Sequence, residues 1–209
     1  MLAPLRSQLN SMRIVLASGS PRRQEYIHNL GLKNVELCPS LFDESTVDPK
    51  NHPNYEEFVE AVAFGKADEV YERLKNDEKK PDLIISADTI VTLDGKIFGK
   101  PKTHDVAFQM LNELKSRGHV VYTGCVLKFQ DKTVKFTEHT KVYFGKLTEA
   151  QIQAYVDTNE PLDKAGGYGI QGIGGCLIEK IEGDYFTVVG LPLYRLSAEI
   201  CKLLNYDIK

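Results

Sequence analysis

Apolar and polar residues repeat along this chain with two periods, and each change of period marks an element boundary. Arg13-Ile14-Val15-Leu16-Ala17 is short, apolar and β-branched, and it gives way at once to Ser18-Gly19-Ser20-Pro21. That reads as strand, tight loop and helix start. Pro21 suits the first helical position, Ser20 is a candidate cap, Tyr26, Ile27 and Leu30 share a face, and Gly31 stands where the helix should stop. A second helix is predicted from Asn54, whose spacing to Glu57 resembles a capping box, through Phe58, Val62 and Leu74. Leu83-Ile84-Ile85-Ser86-Ala87 has no alternation, so it is predicted to be a strand buried on both faces, with Asp88 directly after its end. Asp94-Gly95 between two short apolar runs predicts a hairpin. Thr103 to Arg117, closed by Gly118, carries helical periodicity, and 119–129 and 133–145 read as two long strands joined at Gln130-Asp131-Lys132. A capped helix is predicted from Thr148, with Gln151 three residues on, then a paired segment over 176–189 and a last helix from about Pro192 to Leu204.

Strands and helices mixed with hairpins predict an α/β fold, a mixed central sheet with flanking helices in two lobes around a cleft. Residues 1–12 are set apart as a flexible N-terminal extension before Met12, an alternative start, and 13–209 as a single domain. The 209 residues, 42% hydrophobic and 26% charged, are enough for one domain with a real core. Charge narrows the partners. With 26 basic and 29 acidic residues the net charge is −3, so no global positive field recruits nucleic acid or a lipid surface. An anionic ligand would need local cations. The four cysteines, Cys38, Cys125, Cys176 and Cys201, have no C-x-x-C spacing, and no apolar stretch approaches the ~20 residues of a membrane helix. A cytoplasmic protein with reduced thiols and no membrane partner is expected.

Several positions could carry chemistry. In Ser18-Gly19-Ser20-Pro21-Arg22-Arg23, a glycine, two hydroxyls and two guanidinium groups stand at a helix start, where the dipole favours anions. Two arginines there oppose the dipole unless an anion joins them, which favours a phosphate site over a solvated cap. Asp88 can ligate a cation or activate water from a rigid strand end, and a turn or capping aspartate explains it equally well. Glu44 is a second candidate carboxylate with nothing local to single it out. Lys66, in Phe64-Gly65-Lys66-Ala67, and Lys100, in Phe98-Gly99-Lys100-Pro101, read locally as surface lysines. The glycine-rich segment 165–175 is neither a P-loop nor a dinucleotide fingerprint, and a tight packed loop explains it as well as a base pocket does. The five histidines show no metal-ligand spacing.

Taken in order, Leu16-Ala17-Ser18-Gly19-Ser20-Pro21-Arg22-Arg23, Ser86-Ala87-Asp88-Thr89, Gly99-Lys100-Pro101, Asp163 to Gly172 and Val188-Val189-Gly190-Leu191-Pro192 resemble the motifs of the Maf family of nucleoside triphosphate pyrophosphatases. The resemblance spans residues 13 to about 205. It implies a two-lobed architecture related to inosine triphosphate pyrophosphatase, a nucleotide in the cleft, and hydrolysis between the α and β phosphates. By motif position, Asp88 resembles the family's proton acceptor, sharing a magnesium or manganese ion with Glu44. Ser18, Arg22, Arg23, Lys66 and Lys100 resemble its phosphate and transition-state contacts. Arg22, Thr89 and Gln171 are similar to the branch acting on dTTP and UTP rather than on 7-methyl-GTP. Gly99 departs from the acidic residue of some relatives. A nucleoside triphosphate is the implied partner, and a homodimer is compatible with the resemblance. The competing readings are a non-catalytic nucleotide-binding regulator of cell division and a purine-directed house-cleaning pyrophosphatase.

Overall fold

A computed structural model of the chain describes residues 2–32 and 34–206. Seven strands form a mixed sheet: β1 Ile14–Leu16, β2 Val35–Leu37, β3 Leu83–Leu93, β4 Lys96–Phe98, β5 Gly118–Phe129, β6 Lys132–Phe144 and β7 Ile178–Glu182. Their order is β2-β1-β3-β5-β6-β7, with β4 paired to β3. Helices accompany the sheet, as expected of a mixed α/β fold. The chain divides into two compact units, one holding the residues up to Asp88, Thr123–Glu138 and Gly190 onward, the other Thr89–Tyr122 and His139–Val189.

In the first unit β1 runs parallel to both β2 and β3, with Ile14, Val15 and Leu16 in register with Leu83, Ile84 and Ile85. A strand with a neighbour on each edge and helices on both faces has no solvent side, which is why its sequence shows no alternation. Ile14, Leu16, Leu83 and Ile85 pack with Ile27 of α2 (Pro21–Asn29) and with Leu196 and Ile200 of α7 (Leu193–Leu203). Val15 and Ile84 pack the other way, on Ala63, Ala67 and Val70 of α3 (Tyr55–Leu74). The chain therefore leaves β1 over one face to reach β2 and returns over the other to reach β3. Such a reversal of winding opens a crevice at the carboxyl ends of the parallel strands. Asn54 caps α3 by accepting from Glu57 N at 2.8 Å, as its spacing predicted.

Two expectations change here. The first residues do not stand apart: they form a short 3₁₀ turn and α1 (Arg6–Ser11), and Leu2, Leu5 and Leu9 are buried in the core beside Ile14 and Leu203. Three leucines at near-helical spacing offer an apolar stripe, and burying it repays the ordering of the segment. β3 also does not end at Ala87. It continues for 11 residues through Asp88, pairing with β1 up to Ile85 and with β4 from Val91, while β5 lies along its other edge.

The second unit is built on the ends of β3, β5 and β6. The Asp94-Gly95 turn has φ of 50° and 80°, the left-handed pair of a tight hairpin. α4 (His104–Leu114), capped by Thr103, is shorter than its periodicity predicted, because Ser116 at φ 58° turns the chain directly into β5. α5 (Glu149–Val156) begins in the expected Thr148–Gln151 capping box. Of the segment 176–189 only β7 pairs. Asp184 then accepts from Thr187 N at 2.7 Å and turns the chain into α6 (Tyr185–Val189). Leu111, Leu114, Val121, Val142, Ile152 and Tyr168 form this unit's core.

Candidate functional site

The loop after β1 and the middle of β3 meet at the crevice of the first unit. Ile84, Ser86 and Asp88 project from one face of β3, since strand residues alternate. Ile84 meets the apolar face of α3, and Ser86 donates from its hydroxyl to Ala63 O at 2.6 Å. That bond fixes the height of α3 on the strand one turn before Lys66. Lys66 Nζ then lies 2.7 Å from Asp88 Oδ1 and 2.8 Å from Glu44 Oε1. Lys66 and Asp88 are 9% and 8% exposed, so neither is an ordinary surface charge. A buried ammonium has to be paired, and here two carboxylates share it.

Glu44 reaches Lys66 because its loop is held from α3. Glu69 Oε2 accepts from Ser40 Oγ and Leu41 N, each at 2.9 Å, and Arg73 donates from Nη2 to Pro39 O at 2.9 Å. Phe42 lays its ring over Gly65, where an added Cβ would stand 2.3 Å from the ring. Glu44 opens the 3₁₀ turn that follows, capped by Asp43, which accepts from Ser45 N. Sequence reading gave no role to Phe42, Glu69 or Arg73. The one available signal was Gly65 interrupting a helix immediately before Lys66.

At the other wall, Ser18 is buried directly after β1, and its Oγ accepts from Ser20 N at 3.2 Å. The turn before α2 is thus held by Ser18, while the Ser20 side chain caps nothing. Arg23 donates from Nε to Gly190 O at 2.7 Å, and from Nη1 to Ala87 O at 2.9 Å and to Ser18 Oγ at 3.4 Å. Much of its fork therefore ties β3, the β1 loop and the Gly190 turn together beside Asp88. Burial pulls its pKa down from the ordinary value, while the charge of Asp88 acts the other way. Arg22 stands next to it, half-buried in the first turn of α2.

Five of the expected site residues, Ser18, Arg23, Glu44, Lys66 and Asp88, are thus linked directly or through one shared strand in the first unit. Arg22 is in the first unit too, and Thr89, Lys100 and Gln171 lie in the second. Thr89 follows Asp88 on β3 and is half-buried. Lys100 is exposed just past β4, on a turn tied to the glycine-rich segment by Gly166 N donating to Gly99 O at 3.2 Å. Gln171 is half-buried within that segment. The cysteines form no disulfide, and burial pushes the Cys125 thiol up to about 12, which removes it as a nucleophile. Among the described residues no helix is long and apolar enough to cross a membrane.

Residues 13–203 match the family model described as Maf-like protein. A dTTP/UTP pyrophosphatase of Clostridium botulinum (strain Alaska E43 / Type E3) is 48% identical over 188 residues, covering 89% of this chain and 96% of that protein. Another from Clostridium perfringens (strain SM101 / Type A) is 43% identical over 199 residues, covering 94% and 98%. A third, from Thermosipho africanus (strain TCF52B), is 44% identical over 187 residues, covering 88% and 90%. A solved structure of a HAM1 protein from Coxiella burnetii is similar at a TM-score of 0.48 and 14% identity, over 91% of this chain and 99% of that one.

Proposed function

The chain belongs to the Maf-like protein family, and on that premise we propose that it hydrolyses dTTP and UTP to the nucleoside monophosphate and pyrophosphate. The observation that carries the reading is the pair of carboxylates, Asp88 and Glu44, on one buried ammonium at the carboxyl end of parallel strands. A non-catalytic regulator would have no need to confine an acid there. Asp88 is the proton acceptor: it takes the proton of the water whose oxygen bonds to the α-phosphorus as the bridge to the β-phosphate breaks and pyrophosphate leaves. Lys66 holds Asp88 in place, and lends positive charge to phosphate oxygens as charge moves onto the leaving group. Ser18 and Arg22 meet the phosphates at the start of α2, Lys100 supplies a further cation, and Arg23 mainly holds that wall in shape.

The donor set suits a magnesium or manganese ion. Asp88 and Glu44 are hard oxygen ligands already converging on one cation, and among the described residues no group of three His, Cys, Asp or Glu side chains is built to hold a metal alone. Substrate phosphates would complete such a shell, as is usual for magnesium held by one or two carboxylates. The ion would neutralise phosphate charge when bound. Thiols without disulfides fit a reducing cytoplasm.

Incubation of the purified chain with dTTP or UTP and magnesium or manganese should release pyrophosphate and monophosphate as first products, read by phosphorus NMR. Orthophosphate and diphosphate as first products would refute this regiochemistry. Gly65→Ala tests the seat of Glu44. A methyl group there collides with the Phe42 ring, but Phe42 is only half-buried and can swing out. The helix meanwhile gains roughly 1 kcal/mol of propensity, which offsets the clash. Stability should therefore change little while kcat/KM falls by about tenfold or more, since displaced catalytic groups are costly. Melting curves and kinetics on one preparation check both, and an unchanged kcat/KM would mean that Glu44 needs no such seat.

A further inference from the structure

The glycine-rich segment of the second unit is organised around one carboxylate. Glu160 Oε1 accepts from Gly174 N at 3.0 Å and from the Tyr155 hydroxyl at 2.9 Å, and its Oε2 accepts from Ile173 N at 2.9 Å. The Tyr155 oxygen in turn accepts from Gly169 N at 3.1 Å. Between these anchors the chain makes a single turn, closed by Gly172 N donating to Gly169 O at 3.2 Å, and Gln171 is its third residue. The turn is therefore gripped on both sides, at Gly169 by the phenol and at Ile173 and Gly174 by the carboxylate.

The glycines are what admit this grip. A Cβ on Gly172 would stand 2.5 Å from Glu160 Oε2, and one on Gly174 would stand 2.5 Å from the Tyr155 oxygen. Any side chain at either place would push the turn off its anchors. Tyr155 is buried, and burial raises its pKa, so it remains a donor. Burial pushes Glu160 upward too, but the N–H groups of Gly174 and Ile173 and the Tyr155 hydroxyl outweigh it and hold the carboxyl below its ordinary value. Glu160 is thus an ionised, acceptor-only group facing three donors. Lys164 adds a further brace, donating to Glu160 O at 2.6 Å.

We infer that Glu160 and Tyr155 are positioning residues for base selection, holding the Gly169–Gly172 turn so that Gln171 presents its amide to the pyrimidine. This rests on the reading that Gln171 discriminates dTTP and UTP from purine nucleotides. Neither residue needs to touch the nucleotide. Their effect passes through the turn, so it belongs in the ratio of kcat/KM for UTP to that for GTP rather than in kcat.

The test is a double-mutant cycle on the full chain. Glu160→Gln keeps the shape but offers one acceptor atom, so one of the loop N–H groups faces an NH₂. Tyr155→Phe removes both hydroxyl contacts and is the gentler change. Each should lower the UTP-to-GTP ratio by about threefold to tenfold, the effect of one misdirected hydrogen bond, mainly through KM for UTP. In a Gln171→Ala background, which itself should lower the ratio by about tenfold or more, either substitution should then change the ratio hardly at all. If both variants lower the melting temperature but leave the ratio of wild type, Glu160 and Tyr155 are structural only and the inference is overturned. If they shift the ratio equally with and without Gln171, they act by another route and it is again overturned. If Gln171→Ala alone leaves the ratio unchanged, the underlying reading of Gln171 fails, a pattern distinct from the other two.

Discussion

Asp88→Asn should lower kcat by at least about 10²-fold, the usual cost of removing a general base, with KM much less affected. The amide cannot take the proton of water and is a poorer ligand for a divalent ion. The substitution is nearly isosteric, yet it will not be silent in stability, because Asp88 is a partner of the buried Lys66 ammonium. Breaking a buried pair costs several kcal/mol when the remaining charge is stranded. Here Glu44 still holds Lys66 at 2.8 Å, so a loss of roughly 1–3 kcal/mol and a melting temperature lower by a few degrees are expected. Single-turnover kinetics, nucleotide titration and a melt on the same protein separate these effects. A folded variant with near-normal kcat would place the base elsewhere.

That stability cost was not legible from sequence, and the reason lies in how local pattern differs from topology. Leu83 to Ala87 read correctly as a doubly buried strand, but Asp88-Thr89 interrupts the apolar run and so read as its end. The polar residue sits mid-strand, three residues past Ile85, which pairs with the last residue of β1, and no local pattern along β3 reports where its neighbour ends. Lys66 read as surface charge for a similar reason. Its helix is rich in acidic residues, and its apolar stripe of Ala63, Ala67 and Val70 is made of small residues that hardly stand out. The caps at Asn54 and Thr148 and the hairpin at Asp94-Gly95 were legible because each depends on residues a few positions apart. The first twelve residues mislead by composition, which is bland, although Leu2, Leu5 and Leu9 carried a helical stripe in plain view. The glycine-rich segment stayed open between packing and ligand binding because its partner, Glu160, is 13 and 14 residues from the turn's far anchor at Ile173 and Gly174 and bears no motif of its own.

Lys66→Met should separate the two roles that one ammonium plays. Lys66 is shared between Asp88 and Glu44, so it competes with any divalent ion for the same two carboxylates. Removing it strips the two carboxylates of the ammonium they share, which favours another cation in its place. Manganese should therefore bind the nucleotide-free variant more tightly than wild type, by paramagnetic titration of the unbound ion. The variant should also be less stable than wild type in chelator and gain more melting temperature on adding manganese. Turnover should move the opposite way and fall by about 10²-fold or more, the usual cost of losing a preorganised charge near the reacting phosphate. Tighter metal with slower chemistry is a combination that general unfolding of the site would not give, because a disordered pair of carboxylates binds manganese less well. If Lys66→Met binds manganese no better than wild type and is equally stable in chelator, the ammonium is not what holds the two carboxylates together, and the site must be organised by the metal or the nucleotide instead.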